Sequence, residues 1–76
     1  MNTAILLISC PDKRGITARV SDFVFRHNGN IVHADQHIDY QANTFFMRIE
    51  WSLEGFDIPL ESIPDAFGPV AQEYDM

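Results

Sequence analysis

The chain is poor in cysteine and in basic residues. Cys10 is the only cysteine among 76 residues, so no disulfide can form within the chain, and no Cys/His spacing resembles a structural zinc site. A single thiol fits a reducing compartment, and we expect a cytoplasmic protein. Five lysines and arginines against eleven acidic residues leave a net charge of −6. Because a nucleic-acid backbone is bound by the opposite balance of charge, we expect no nucleic-acid partner.

Long apolar runs are also missing. No segment approaches the roughly 20 apolar residues that span a bilayer, so no membrane partner is expected. The N-terminus lacks a basic segment followed by a long apolar one, which argues against a signal peptide. The hydrophobic fraction of 46% is typical of a globular protein. A chain of this length allows one small domain, whose core is marginal without a partner.

The hydrophobic pattern predicts the order strand, helix, strand, strand, helix. A continuous apolar run at 4–10 predicts a strand that is buried on both faces. Apolar residues at helical spacing predict a helix over 15–28, and strict alternation predicts strands over 30–39 and 44–53. A second helical pattern covers 60–74. The order is that of a split βαβ unit without its last strand.

Two elements carry irregular signals. Pro64 is tolerable in the first turn of the second helix, whereas Pro69 should kink this helix or delay its start. The alternation over 30–39 predicts two faces of the second strand. The first face holds Val32, Ala34, Gln36 and Ile38, and the second holds Ile31, His33, Asp35, His37 and Asp39.

The first candidate site is the turn from Asp12 to Gly15, together with Asn30. The turn leads into a helix N-terminus, whose free N–H groups attract anions, and Gly15 lets a ligand approach the backbone closely. The alternative interpretation is purely local. In that interpretation Asp12 caps the helix and Gly15 only makes the turn.

The second candidate is the face that carries His33, Asp35, His37 and Asp39. Side chains two residues apart on a strand can share a metal ion or a proton. A solvated or dimer-facing sheet surface explains the same pattern, and we favour it because a catalytic metal needs a closed pocket and supporting contacts.

Cys10 is the third candidate, since a helix N-terminus can lower the pKa of a thiol and make it nucleophilic. A buried apolar role explains it better. The sequence has no serine-histidine-acid arrangement, glycine-rich phosphate loop or CxxC motif. We therefore assign no catalytic residue, no metal ligand and no cofactor.

The motifs resemble those of a known family. Ser9–Ile16 (Ser-Cys-Pro-Asp-Lys-Arg-Gly-Ile) and Gly29–Ile31, in this order of elements, resemble an ACT regulatory domain. Ala34–His37 followed by Phe45–Arg48 resembles the N-terminal region of formyltetrahydrofolate deformylases. The resemblance covers nearly the whole chain. It implies an α+β, ferredoxin-like βαββα(β) sandwich with an antiparallel sheet and two helices on one face. Residues 1–76 would be an ACT domain that lacks its final strand.

The resemblance also implies a function. The family hydrolyses 10-formyltetrahydrofolate to formate and tetrahydrofolate for purine biosynthesis, in a formyltransferase-like domain that this chain lacks. ACT domains pair into homo-oligomers and bind small amino acids, here glycine or methionine, between the first loop and a neighbouring subunit. The matching ligand-binding positions are Asp12, Gly15, Ile16, Asn30 and Ile31. The alternative is a purely structural dimerisation ACT module of another metabolic enzyme or regulator.

Overall fold

The computed structural model describes residues 2–76 and confirms the predicted order of elements. The elements are β1 (Thr3–Pro11), α1 (Ile16–Arg26), β2 (Asn30–Asp39), β3 (Thr44–Ser52), a 3₁₀ turn (Leu60–Ser62) and α2 (Ile63–Glu73). The strands form one antiparallel sheet in the order β1-β3-β2, so β3 lies in the centre. Within residues 2–76, no helix combines the length and apolarity that crossing a bilayer requires.

The core lies between one face of the sheet and the two helices. Alternate residues of β3 point into it, and both Ile49 and Trp51 are completely buried. At the helix contact, the rings of Phe23 and Phe67 meet edge to face, with their centroids 5.1 Å apart. The remaining buried apolar residues are Ala4, Ile8, Cys10, Ile16, Val20, Val24, Phe45, Met47, Ile63 and Val70.

The prediction that β1 is buried on both faces is wrong. Ala4, Ile8 and Cys10 are buried and Leu6 packs against the core, whereas Ile5, Leu7 and Ser9 point outward and Leu7 is 74% exposed. The reason is that both helices pack against the same face of the sheet. The free edge of β1 adjoins an apolar groove between Leu6 and Leu60. A fourth strand of the ferredoxin-like sandwich would pair at this edge.

A bulge near the start of β2 changes its predicted faces. Ile31 lies opposite Trp51 and His33 opposite Glu50, so Val32 is an extra residue in the ladder. As a result Ile31 packs against the core and does not share the outer face with His33, as the alternation had predicted. From His33 onward the predicted alternation is correct, because the register with β3 is regular.

The helix ends differ from the predictions in two details. The N-cap residue of α1 is Gly15, and no side chain accepts a hydrogen bond from the first amides of the helix. The interpretation in which Asp12 caps the helix is therefore wrong. The second helix begins at Ile63 and runs through Pro69, so a delayed start is wrong. The carbonyl that Pro69 leaves without an intrahelical partner belongs to Asp65, an exposed residue at which water can donate instead.

The C-terminal end of α1 is tied to the loop that follows β3. Asn28 Nδ2 donates to the Gly55 carbonyl at 3.0 Å. The Asp57 N–H donates to the His27 carbonyl at 3.0 Å, and the side chains of these two residues meet at 2.8 Å. The chain then turns at Gly29, whose N–H donates to the Val24 carbonyl at 2.9 Å.

We predict that Gly29→Ala destabilises the fold. A Cβ atom at this position would lie 2.5 Å from Val24 Cγ1 and 3.1 Å from Phe56 Cδ1. Relieving this overlap should lower the free energy of unfolding by about 1–3 kcal/mol, measured by urea denaturation followed by Trp51 fluorescence. Gly68→Ala is the matched control, because nothing lies within 4 Å of its added Cβ.

Two effects oppose one another in Gly68→Ala. Alanine favours the helix more than glycine does, which stabilises the fold, whereas Pro69 disfavours a helical conformation of a preceding residue that carries a Cβ atom. The free energy of unfolding should therefore change by no more than about 0.5 kcal/mol. Equal losses in the two variants would contradict the packing explanation.

Candidate ligand site

The β1–α1 turn lies at one end of the sheet and has an open backbone. The Asp12 N–H donates to the Asn43 carbonyl at 2.8 Å, which joins the turn to the β2–β3 loop. Gly15 adopts a φ of +87°, a conformation that other residues rarely adopt. The first helical bond runs from the Arg19 N–H to the Gly15 carbonyl at 2.9 Å. The three amides that precede Arg19 have no intrahelical acceptor and are available to an anion.

The C-terminal end of α2 lies beside this turn. Arg19 Nε is 3.4 Å from Glu73 Oε2, and Lys13 Nζ is 5.3 Å from the centroid of the Tyr74 ring. The Tyr74 hydroxyl lies 3.5 Å from the place where a Cβ of residue 15 would sit. A ligand at the turn would therefore meet Tyr74. The sequence pattern assigned Tyr74 only to the apolar stripe of α2 and carried no signal for this position.

The two parts of the predicted site do not meet within one chain. Asp39, at the end of β2, lies opposite Thr44, and so does Pro11 before the turn. Asn30, at the start of β2, lies opposite Ser52 at the other end of the sheet. The eight residue steps of β3 between Thr44 and Ser52 correspond to about 26 Å. Asn30 and Ile31 are therefore separated from the turn by nearly the length of the sheet.

The strand between these two parts is an edge strand. β2 pairs with β3 on one side, and no strand of the described chain pairs with its other side. An edge strand presents N–H and C=O groups that can pair with another chain. Thr17 on α1 reaches across to this strand, and its hydroxyl donates to Gln36 Oε1 at 2.6 Å.

The histidine-rich face of β2 is an open surface. His33, Asp35 and His37 are exposed, and the ring of His37 stacks on Phe46 with the centroids 5.0 Å apart. Asp39 Oδ1 accepts the N–H groups of residues 41 and 42 at 3.1 and 3.2 Å, so this carboxylate supports the hairpin loop. Nowhere in residues 2–76 do three or more His, Cys, Asp or Glu side chains cluster as metal ligands.

Cys10 belongs to the core. Its side chain is buried opposite Phe45. Burial raises the pKa of the Cys10 thiol, and the carboxylates of Asp12 and Asp75 raise it further. The thiol is thus protonated at neutral pH and is a poor nucleophile, in agreement with the apolar role preferred from the sequence.

We predict that Cys10 reacts slowly with iodoacetamide in the native protein, because the reagent needs an accessible thiolate. Denaturant should accelerate the reaction at least about a hundredfold, since unfolding restores both access and the ordinary pKa. Mass spectrometry of timed samples measures the rates. The alkylation rate follows the fraction of thiolate. Because the pKa of Cys10 is raised in the folded state, the rate in the native protein should still rise with pH above 9, whereas the rate in the unfolded chain levels off there. Similar rates in the two states would contradict burial.

Comparison with known proteins identifies the fold family. The family model of the ACT domain matches residues 4–63. The formyltetrahydrofolate deformylase of Synechocystis is 41% identical over 71 residues, which are 93% of this chain and 25% of that protein. The deformylase of Bacillus subtilis is 42% identical over 72 residues, or 93% of this chain and 24% of the relative. The chain thus spans about a quarter of the length of these curated relatives.

Solved structures agree with the sequence comparison. The crystal structure of a formyltetrahydrofolate deformylase from Pseudomonas syringae pv. tomato is 42% identical and superposes with a TM-score of 0.92 over 97% of this chain and 25% of that one. A deformylase from Pseudomonas putida, at 20% identity and a TM-score of 0.85, covers 97% and 26% and supports the fold alone. The ferredoxin-like arrangement and the matched motifs lead to one assignment: the chain belongs to the ACT domain family.

Proposed function

We propose that this chain is the amino acid-binding and subunit-association module of a cytoplasmic formyltetrahydrofolate deformylase. Its similarity to proteins of that name, over most of the chain, supports the proposal. In such an enzyme, the hydrolysis of 10-formyltetrahydrofolate to formate and tetrahydrofolate takes place in residues other than these 76. The role of the chain is then recognition, and its side chains control the activity without taking part in the chemistry.

The observation that carries the proposal is the separation of the two parts of the site. Asn30 lies at the start of β2, and the β1–α1 turn, which Asp12 joins to the β2–β3 loop, lies at the end of the sheet where β2 finishes. If two copies pair their β2 strands antiparallel about a two-fold axis, the start of one strand lies beside the end of the other. Asn30 of each copy then approaches the turn of the other copy. Two equivalent sites result, each completed by both chains.

The chemistry of the two parts suits a small zwitterion. The open amides at the start of α1 can donate to a carboxylate, with the helix dipole in the favourable direction. The Asp12 carboxylate and the Asn30 side-chain carbonyl can accept hydrogen bonds from an ammonium group. Ile16 is 2% exposed, so its contribution would come from the backbone. Ile31 is half-buried and would support Asn30 from the core side.

Binding at such a site would couple the ligand to subunit association. A ligand that contacts both chains binds the pair more tightly than the single chain and stabilises the pair by the same free energy. Glycine and methionine are the effectors that the family resemblance suggests. Each has the zwitterionic group that the site could hold, and they differ only in the side chain that it must accommodate.

We expect calorimetry to detect binding of glycine or methionine to the full-length protein. The same amino acid should change the rate at which the protein deformylates 10-formyltetrahydrofolate. Absence of binding and of any change in rate would contradict the regulatory function. If subunit association persists without any ligand response, the chain is a purely structural dimerisation module, and absence of deformylase activity as well would assign it to another metabolic enzyme or regulator.

A mixing experiment tests whether each site is built from two chains. Gly15→Ala places a methyl group in the turn at a strained φ, and Asn30→Ala removes the polar group of the other part. Each variant alone should lose binding. After subunits are exchanged by unfolding and refolding together, mixed pairs have one intact site and one doubly altered site. Random pairing restores about a quarter of the wild-type binding stoichiometry.

The control for this experiment is the Gly15→Ala/Asn30→Ala double variant, which should bind nothing after the same treatment. Calorimetry gives the stoichiometry, and circular dichroism checks that the variants are folded. No recovery of binding in the mixture would contradict a site shared between chains.

A further inference from the structure

The outer face of the sheet carries an ordered grid of side chains. Directly opposed residues on antiparallel strands point to the same side, so the register defines rows across β1, β3 and β2, and the three rows in the middle of the sheet form the grid. The rows are Ser9–Phe46–His37, Leu7–Arg48–Asp35 and Ile5–Glu50–His33. None of the described helices covers this face, because both pack on the other side of the sheet.

The grid combines exposed apolar side chains with charges of both signs. Leu7 is 74% exposed, Ile5 is 52% exposed and Phe46 is 37% exposed. Contiguous apolar surface of this kind, bordered by polar groups, is typical of interaction sites. Arg48 and Glu50 lie in the two rows that hold the exposed aliphatic residues. With neutral histidines, Arg48, Glu50 and Asp35 leave the grid with a net charge of −1, whereas the chain as a whole carries −6.

We propose that this face binds the same face of a second copy of the chain. The proposed two-fold axis runs across the strands, between the Leu7–Arg48–Asp35 row and the Ile5–Glu50–His33 row. Such an axis places each of these rows on the other row of the partner. Leu7 then meets Ile5, Arg48 meets Glu50 and Asp35 meets His33, each pair occurring twice. The Leu7–Ile5 contact is thus apolar, the Arg48–Glu50 contact joins opposite charges, and in the third contact Asp35 meets the titratable ring of His33.

The arrangement of the charged pair agrees with this contact. Thr3 Oγ1 donates to Glu50 Oε2 at 2.7 Å, which holds the carboxylate in place on the outer face. Arg48 Nη2 lies 3.6 Å from Glu50 Oε1, so the guanidinium retains donors for a second carboxylate. Two copies that each carry −6 repel one another over most of their surfaces. A self-complementary face that carries little of this net charge is where they can approach with the least electrostatic cost.

The area indicates a weak contact. Three strands about 4.8 Å apart and about 30 Å long present a face of roughly 400 Å². A standard interface covers about 800 Å² per partner, so this contact would be reversible on its own. It lies perpendicular to any pairing at the β2 edge, and the three contacts that define its register involve none of the predicted ligand-binding residues. The inference is therefore independent of the proposed ligand site and can fail or succeed separately from it.

A charge-exchange cycle tests the proposed register. Arg48→Glu places carboxylates against one another in a pair of identical copies, and Glu50→Arg places guanidinium groups against one another. A mixture of the two variants restores opposite charges at both contacts. In sedimentation equilibrium, we expect the mixed pair to dissociate with a Kd at least about tenfold lower than either variant alone. The double variant Arg48→Glu/Glu50→Arg should associate like the wild type.

Two surface substitutions serve as matched controls. Leu7→Ser should weaken association, whereas Tyr40→Ser, at an 84% exposed position outside the grid, should not change it. Raising the ionic strength to about 0.5 M should reduce the difference between mixed and single variants. The proposal is overturned if the mixture sediments as the average of its components, or if Tyr40→Ser weakens association as much as Leu7→Ser.

Discussion

Burial of the inner side of β3 is the interaction on which the rest of the structure depends. Within residues 2–76, β3 is the only strand that pairs with both others, and α1 and α2 pack on its inward side chains. Ile49 and Trp51 are completely buried there, so much of the apolar area removed from water lies along this one strand. Trp51 also contacts the segments on either side of β3. Ile31 lies opposite it on β2, and the ring of Phe56, in the loop after β3, packs on its ring.

A core on one side of a sheet leaves distinct surfaces for recognition. The helices cover neither the free edges of β1 and β2 nor the outer face of the sheet. The two parts of the predicted ligand site lie at opposite ends of the sheet, and the charged grid lies on the outer face. Each of these surfaces is incomplete in one chain: a site needs its second part, an edge needs a strand and an apolar face needs cover. These incomplete surfaces support the proposed association of subunits.

The sequence predicted the elements well because each has a clear local period. The alternation of β3 and the helical spacing of Ile16, Val20, Phe23 and Val24 report directly which side of each element is buried. The errors have equally specific causes. An apolar run such as that of β1 does not reveal whether a second layer covers its other face. A single extra residue, Val32, reverses the alternation at the start of β2 without any change in composition.

The candidate site shows most clearly what the sequence determined and what the tertiary structure determined. The sequence by itself determined the elements, the glycine turn before α1 and the motifs that place the chain in its family, since these depend on residues close together in the chain. Only the tertiary structure decided that Asn30 lies a full strand length from Gly15 and that Tyr74 lies beside the turn. Those positions depend on strand order, register and helix packing, which arise from contacts between residues far apart in the sequence.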